Sequence, residues 1–450
     1  MKFYTTCYSD GNKQSALKEI FPDVNEKERE KELVNLYPQV RYQTIAGFGG
    51  AFTDSAGYMF AQMPPHLQDR LIDDYFSPEG LGYTIGRTSV DSCDFSLECY
   101  ASCDTPGDMQ LDGFDVSRAQ KYMLPLLRRA NQKAAQPIKM MLTPWTPPAW
   151  MKTNGSRLRG GMLKEEYYGL WAEYICRFIK QYQADGVDVC AVSSQNEPKA
   201  VQTWDSCLLS GTQERIFIRD HLYPALCRHG LDQLKVLIWD HNKERAFDRA
   251  CETINDEVMD SIVDGVAVHW YSGDHFEALQ MIRERYPDKL LVFSEACVEY
   301  SIYAEPDHLR NAQMYAHDII GNLNHGLNAF IDWNLVLNEQ GGPNHVGNYC
   351  DAPMMYDTRT GVLTKNLSYD YIGHFSRYIK PGAVRIGMSR FDTGLEVVAA
   401  QNPDGSIAVV TLNRQPKDVS FFLRLGDKVW PVQQPAQSIS TCVITAQELA

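Results

Sequence analysis

Eight short apolar runs follow one another along the chain, each bounded by a turn signal or by a segment with helical character. Runs of this length are typical of buried strands. They span residues 44–52, 83–90, 138–143, 187–193, 234–239, 266–270, 290–293 and 327–334. Strand, helix, strand repeated eight times predicts a closed parallel (β/α)8 TIM barrel, an α/β fold.

The clearest helical segment spans residues 165–184 and ends before Gly186, which favours helix termination. Its apolar side chains fall on one face: Trp171, Tyr174, Ile175, Phe178, Ile179 and Tyr182. The run Gly47-Phe48-Gly49-Gly50 lacks the spacing of a phosphate-binding turn, so it is interpreted as a close-packed strand end.

The carboxyl-terminal part of the chain has a different pattern. Two β-rich runs, 395–400 and 407–412, flank Asn402-Pro403-Asp404-Gly405, which is a hairpin signal. Further strands are expected at 419–423 and 440–445. The sequence therefore predicts a barrel over 46–382 and an antiparallel β-sandwich side domain over 383–450. Residues 1–45, strand-like only at their start, are expected to contribute to the sandwich.

Two glutamates stand at the ends of apolar runs: Glu197 follows Val192-Ser193-Ser194-Gln195-Asn196, and Glu295 follows Val292-Phe293-Ser294. Pro198 cannot continue a ladder and biases Glu197 toward an extended conformation. In a barrel the carboxyl ends of the strands form the active face. Two carboxylates presented there are suited to protonating and attacking a glycosidic bond.

Polar or aromatic residues stand at the carboxyl end of every predicted strand, so one rim of the barrel is expected to collect them. They are Asp54, Asp94, Trp145, Glu197, Asp240, Tyr271, Glu295 and Trp333.

Charge and composition limit the partners. With 43 basic and 57 acidic residues the formal net charge is −14, which disfavours nucleic acid and anionic membrane surfaces. An aromatic content of 11% supplies flat faces that pack against sugar rings as well as against cores. A neutral small-molecule carbohydrate fits this chain better than a nucleic acid, and no stable membrane insertion is expected.

The 12 cysteines are scattered without a C-x-x-C pair, which favours reduced thiols over disulfides or a zinc site. The first ten residues contain no apolar signal-peptide core. A cytoplasmic location is therefore expected. The sequence does not indicate an oligomeric state.

Taken in order, the motifs resemble those of glycoside hydrolase family 30, the family that includes the acid β-glucosidases (glucosylceramidases). The resemblance covers most of the chain. It rests on Gly47 to Asp54, Ser92 to Ser96, Pro144 to Gly155, Asn196-Glu197-Pro198, Val268 to Tyr271, Ser294 to Cys297, Asp332 to Leu335, Gly342-Pro343-Asn344 and Asn413-Arg414.

The resemblance implies a retaining β-glycosidase without a cofactor or metal, with Glu197 as acid/base and Glu295 as nucleophile. Residues matching the sugar subsite are Asp94, Trp145, Asn196, Tyr271, Trp333 and, at the rim, Asn348. Two departures fall on the side of the leaving group: His345 replaces a Trp, and the stretch 199–207 is shorter. They favour soluble β-glucosides or oligosaccharides over a ceramide glycoside.

Retention requires carboxyl groups about 5 to 5.5 Å apart. The ionised Glu295 is expected to keep Glu197 protonated by like-charge proximity. Asn196 is expected to bind the 2-hydroxyl, a contact that strengthens in the transition state.

Alternatives remain at the level of the sugar: a β-xylosidase, β-fucosidase or β-1,6-glucanase of the same family. A different class would be a metal-dependent barrel hydrolase using Asp240, His241 and His269. A catalytically inactive carbohydrate-binding barrel is a third interpretation.

Overall fold

The computed structural model describes residues 1–9, 11–303 and 307–449. The amino-terminal strands are β1 (Lys2–Ser9), β2 (Asn12–Glu19) and β3 (Leu33–Ile45). Then follow β4 (Gly47–Ala51), β5 (Ile85–Val90), β6 (Lys139–Pro144), β7 (Asp188–Ser193), β8 (Lys235–Asn242), β9 (Gly265–His269), β10 (Leu290–Glu295) and β11 (Ala329–Asn334). The remaining strands are β12 (Val336–Asn338), β13 (Met354–Asp357), β14 (Val362–Lys365), β15 (Ala383–Arg390), β16 (Leu395–Gln401), β17 (Ile407–Asn413), β18 (Val419–Leu425), β19 (Lys428–Gln434) and β20 (Ser438–Ile444).

Helices cover the barrel and connect its strands. They are α1 (Asp54–Gln62), α2 (Pro65–Phe76), α3 (Met123–Lys133), α4 (Tyr168–Ala184), α5 (Gly211–Phe217), α6 (Tyr223–Arg228), α7 (Ala246–Thr253), α8 (Glu257–Ile262), α9 (Phe276–Arg285), α10 (His308–Asn324), α11 (Leu367–Ser376) and α12 (Ala446–Leu449). Within the described residues no helix combines the length and the apolar character needed to span a membrane.

Strands β4 to β11 close into a parallel barrel in chain order, with β11 pairing with β4. All eight predicted barrel strands are therefore confirmed. The predicted helix at 165–184 is confirmed as α4, preceded by a 3-10 turn at Glu165–Tyr167.

The barrel interior is layered. Ile85, Ala267 and Val292 belong to one buried apolar cluster drawn from the barrel strands. Because side chains alternate along a strand, the residue two positions further on points into the same interior, one layer closer to the carboxyl rim. Those residues are Arg87, His269 and Ser294, and all three are buried. A polar layer thus lies directly above the apolar layer.

The glycine-rich run of β4 is a close-packed strand, as predicted. A Cβ on Gly49 would lie 1.8 Å from the backbone oxygen of Ile85 in the neighbouring strand. No side chain fits at that distance, so β4 approaches β5 only because this position is glycine.

The second domain is built on one nine-stranded sheet with the order β19-β18-β3-β15-β16-β17-β20-β1-β2. The predicted hairpin is confirmed as β16 and β17. The expectation that residues 1–45 are strand-like only at their start is wrong, because β3 is a strand of 13 residues that pairs with both β15 and β18. Those partners lie far away in sequence and stabilise a segment with weak local signals. The predicted domain bounds at 45/46 and 382/383 stay predictions.

All 12 cysteines are free thiols, as their scattered spacing predicts.

Candidate active site

A cleft of about 150 Å³ opens at the carboxyl rim of the barrel. It is lined by the residues that the sequence predicts as catalytic or sugar-binding, which are Asp94, Trp145, Asn196, Glu197, Tyr271, Glu295, Trp333 and Asn348. Gln202, Trp204, His241, Asn242, Cys297 and Glu299 complete the lining. The cleft is smaller than a pocket for a drug-sized ligand, so it suits a single sugar ring.

Arg87 of β5 joins the two sides of the cleft from below. Its Nη1 donates to Glu295 Oε2 at 2.5 Å, and its Nη2 donates to Asn196 Oδ1 at 2.7 Å and to Asp240 Oδ2 at 3.0 Å. Burial alone would lower the pKa of Arg87, but the charges of Asp240 and Glu295 raise it. The guanidinium is therefore a permanent cation at the floor of the site.

Glu295 ends strand β10 and has a donor on each carboxylate oxygen. Tyr271 donates its hydroxyl to Oε1 at 2.9 Å, while Arg87 occupies Oε2. Donors on both oxygens fix the orientation of this carboxylate at the end of β10.

Glu197 has a backbone conformation that the sequence did not predict. Its φ is +43°, so the expectation of an extended residue before Pro198 is wrong. The backbone N–H of Glu197 donates to the carbonyl of Asp240 at 2.9 Å, and that of Asn196 donates to the carbonyl of Pro144 at 2.8 Å. These bonds tie the turn after β7 to both neighbouring strands. A left-handed backbone in a non-glycine residue is uncommon and occurs preferentially at functional sites.

The side chain of Glu197 lies beside two imidazoles. Its Oε1 is 3.2 Å from His269 Nδ1 and 3.6 Å from His241 Nδ1. Burial raises the pKa of Glu197, but the contacts and charge of the two histidines lower it below its ordinary value. The expectation that Glu295 keeps Glu197 protonated is therefore wrong for the free site, because the imidazoles outweigh burial and favour the carboxylate.

His269 holds a proton more tightly than an ordinary histidine. Burial lowers its pKa, but the charge of Glu295 and the hydrogen bonds to Asp240 and Glu197 raise the pKa to about 9. Its Nε2 is 3.0 Å from Asp240 Oδ1, which also accepts from the Ser294 hydroxyl at 2.6 Å. At neutral pH the proton therefore lies on His269, whose Nδ1 is 3.2 Å from Glu197 Oε1.

The walls of the cleft carry rings and polar groups. Trp145 and Trp333 stack with ring centroids 5.4 Å apart at 18°. Asn348 Nδ2 donates to Asp94 Oδ2 at 3.1 Å. Burial, followed by the charge of Glu295, raises the pKa of Asp94 well above its usual range. An aromatic wall facing polar acceptors is the usual lining of a sugar subsite.

Three sequence expectations about position are corrected. Asp54 is not in the cleft, because its Oδ2 accepts from Leu97 N at 3.1 Å and from Arg118 at 3.0 Å. Asp240 lies beneath the cleft, where Arg87, His269 and other donors use its oxygens. The metal trio Asp240, His241 and His269 is therefore not a set of ligands.

His345 is not part of the lining either. Its Nδ1 is 2.9 Å from the carbonyl oxygen of Ser96, and its Nε2 is 3.5 Å from Asp205 Oδ2. Its effect on a leaving group is therefore indirect.

Sequence reasoning missed Arg87 as the residue that holds both Glu295 and Asn196. The sequence does contain a signal for this residue. Arg87 lies within the predicted strand, two residues after the inward-facing Ile85, so its side chain points to the same side. His269 was considered as a metal ligand or as a hydrogen-bond partner at the rim, although its position two residues after the inward-facing Ala267 places it on the barrel floor.

A closed barrel whose rim collects two glutamates, a stacked tryptophan wall and polar groups defines a glycoside hydrolase. The family model of the glycosyl hydrolase family 30 TIM-barrel domain matches residues 45–379, and that of the family 30 β-sandwich domain matches residues 382–442. The chain belongs to glycoside hydrolase family 30.

Its relatives include proteins of known structure and curated enzymes. The SrfJ structure from Salmonella typhimurium is 39% identical with a TM-score of 0.93, and covers 99% of this chain and 100% of that chain. Lysosomal acid glucosylceramidase of Mus musculus is 35% identical over 87% of this chain and 79% of its own length. The structure of the endo-β1,6-glucanase BT3312 is 28% identical with a TM-score of 0.88, and covers 98% of each chain.

Proposed function

We propose that this glycoside hydrolase cleaves a β-glucosidic bond by double displacement with retention, using Glu295 as nucleophile and Glu197 as acid/base. The observation that carries the proposal is the difference between the partners of the two glutamates. Arg87 and Tyr271 bind Glu295 and orient its carboxylate, whereas Glu197 contacts the imidazole of His269, a side chain that can pass a proton to a carboxylate. Carboxylates in such unlike surroundings take unlike roles.

In the first step Glu295 attacks the anomeric carbon while the leaving oxygen receives a proton from Glu197. The proton comes from the His269–Glu197 pair, which titrates as a unit. A substrate that displaces water from Glu197 favours the neutral acid over the carboxylate. After glycosylation the charge of Glu295 is gone, and Glu197 accepts a proton from the water that completes the reaction.

Asn196 is positioned for the 2-hydroxyl. Its Oδ1 is occupied by Arg87, and no hydrogen bond to its Nδ2 is seen within the described part of the chain. Since Asn196 lines the cleft, its N–H donors are available to a sugar. Arg87 therefore fixes the amide so that it donates rather than accepts.

The leaving group has space beside the sugar subsite. A cavity of about 450 Å³ shares Tyr271, Cys297 and Glu299 with the cleft and continues toward Ile302 and Tyr303. This cavity mixes polar and apolar side chains. We assign the glycone to the 150 Å³ cleft and the leaving group to this neighbouring space.

Glucose is the favoured ring. The names of both enzyme relatives, a glucosylceramidase and an endo-β1,6-glucanase, specify a glucosyl unit. A soluble β-glucoside or a short β-glucan is the favoured substrate, because polar Gln202 and Glu299 line the cleft. A β-1,6-glucan is the second candidate, supported by the likeness to the endo-β1,6-glucanase across 98% of each chain.

The experiment is mechanism-based labelling with a 2-fluoro β-glucoside followed by peptide mass spectrometry. The label is expected on Glu295, and Glu295→Gln is expected to lose turnover for every substrate because the covalent intermediate cannot form. Asp94→Asn is the comparison variant, since it changes another cleft carboxylate but leaves the nucleophile. A label on any other carboxylate would reject the assignment.

A panel of nitrophenyl β-glucoside, β-xyloside, β-fucoside and β-galactoside tests the ring. The highest kcat/KM is expected for the glucoside. A xyloside or fucoside that exceeds it would move the proposal to the corresponding glycosidase of the same family.

A further inference from the structure

Three donor atoms converge at one wall of the cleft. Glu197, His241 and His269 each offer one ligand atom, and these three atoms lie within 4.8 Å of one another. Glu197 Oε1 is 3.2 Å from His269 Nδ1 and 3.6 Å from His241 Nδ1. Two imidazoles and one carboxylate are a donor set that zinc takes in proteins.

The distances from Glu197 Oε1 to the two imidazole nitrogens suit ligands of one metal ion as well as they suit hydrogen bonds. Zinc binds imidazole nitrogen and carboxylate oxygen at about 2.0–2.2 Å, so neighbouring corners of its tetrahedron are about 3.3–3.6 Å apart. Glu197 Oε1 lies 3.2 Å from His269 Nδ1 and 3.6 Å from His241 Nδ1, and both distances agree with that range to within about 0.1 Å.

The surroundings prepare both histidines as ligands. His269 Nε2 contacts Asp240 Oδ1 at 3.0 Å, and a carboxylate on the far nitrogen fixes the tautomer that presents the other nitrogen to a metal. His241 Nδ1 is buried and has no hydrogen-bond partner among residues 1–9, 11–303 and 307–449. Its lone pair or proton is therefore unused.

The charge balance also favours a cation. Glu197, Glu295 and Asp240 are carboxylates, and among the described residues Arg87 is the arginine or lysine that contacts this group. Even with His269 counted as a cation, three negative charges face two positive ones, so the buried group keeps one excess negative charge. A dication compensates that excess directly.

A second donor cluster on the molecule lacks these features. Cys99, Asp205 and His345 also lie within 4.8 Å of one another, but Arg157 Nε donates to Asp205 Oδ1 at 2.9 Å. The guanidinium neutralises the only carboxylate there and repels a cation. This cluster supplies a matched control.

We propose that Glu197, His241 and His269 form an inhibitory binding site for divalent transition-metal ions, with zinc as the representative. The bound ion occupies the lone pair with which Glu197 exchanges protons. The loss of activity rests on the proposed role of Glu197, but the binding itself does not.

The test is isothermal titration calorimetry of untagged, chelator-treated enzyme with zinc chloride. One ion is expected per chain in the wild type and in Cys99→Ser. His241→Ala is expected to weaken binding at least about tenfold, since loss of a direct ligand costs at least as much as loss of its support. Glu197→Gln should weaken binding similarly, which guards against a result caused by one misfolded variant.

Hydrolysis of nitrophenyl β-glucoside is measured alongside. Zinc should inhibit the wild type and Cys99→Ser at the same concentration, and His241→Ala should need at least about tenfold more zinc for the same fractional loss. An unchanged zinc affinity in His241→Ala, or a lost zinc affinity in Cys99→Ser, would show that zinc does not bind at Glu197, His241 and His269. Hydrolysis that requires added zinc would show that the ion is not an inhibitor. If the metal-free enzyme hydrolyses no glycoside, the proposed function fails while calorimetry still decides the site.

Discussion

The proton on His269 beside Glu197 leads to a prediction about pH. Asp240→Asn removes the charge that faces His269 Nε2 at 3.0 Å while preserving the shape of the side chain. The pKa of His269 is about 9 in the wild type, so kcat/KM should fall on the alkaline side near that pH. Loss of one adjacent carboxylate lowers a histidine pKa by about 1 to 3 units. The alkaline limb of Asp240→Asn should therefore lie between about pH 6 and 8.

The assay is the pH profile of kcat/KM on an aryl β-glucoside, which reports the free enzyme. Ser294→Ala is the matched control, because it removes a hydroxyl from the same Asp240 Oδ1 but keeps the charge. Its alkaline limb should stay within about half a unit of the wild type. If Asp240→Asn shows the wild-type limb, the proton that limits activity is not held by this pair, and the reasoning fails.

Stability provides a readout that is independent of activity. The pKa of His269 rises from 6.5 to about 9 on folding, so protonation contributes stability that is full below pH 6.5 and is lost as pH rises through 9. A difference of 2.5 units corresponds to about 3 kcal/mol. Asp240→Asn should flatten the dependence of the free energy of unfolding on pH in this window. Urea unfolding at pH 6 and pH 9.5 measures it.

Three further predictions concern the acid, the leaving group and the barrel. Glu197→Ala should lose about 10²- to 10⁴-fold on substrates with poor leaving groups but retain glycosylation by activated ones, with azide yielding a β-glycosyl azide; an α-azide would mean inversion. The kcat/KM for a soluble aryl β-glucoside should be at least as high as that for glucosylceramide in detergent. A tenfold higher kcat/KM for the lipid, about 1.4 kcal/mol, would refute the argument from the polar side chains Gln202 and Glu299 of the cleft. Gly49→Ala should destabilise the fold by about 3 kcal/mol in urea unfolding, because its Cβ would lie 1.8 Å from Ile85 O, whereas Gly169→Ala should cost nothing.

Local sequence signals were sufficient for the barrel because each of its strands is an apolar run between turn signals. The long strand β3 escaped prediction because its partners, β15 and β18, are more than 300 residues away. No property of a single segment reports such pairing. The glutamates could be found from their positions at strand ends, but the left-handed turn at Glu197 depends on bonds to Asp240 and Pro144 in other strands.

The electrostatics of the site was the least predictable part for the same reason. The electrostatic repulsion between Glu197 and Glu295 can be predicted from the sequence once both residues are assigned to the same rim of the barrel. The counteracting imidazoles are visible only when β8 and β9 bring His241 and His269 to Glu197. The sequence thus placed both glutamates in one cleft but gave a wrong expectation about the protonation of Glu197.

The proposed roles of the two glutamates follow from a property of their partners rather than of the carboxylates. Arginine does not release its proton at any physiological pH, so Glu295 faces a permanent cation, as the proposed nucleophile requires. Histidine does release its proton, so the residue beside His269 can gain and lose one within a catalytic cycle. Asp240 contacts both Arg87 and His269 and couples the two halves of the site. A substitution at Asp240 should therefore change the proton donor without touching the substrate, which is why its pH profile discriminates between this network and a pair of glutamates acting alone.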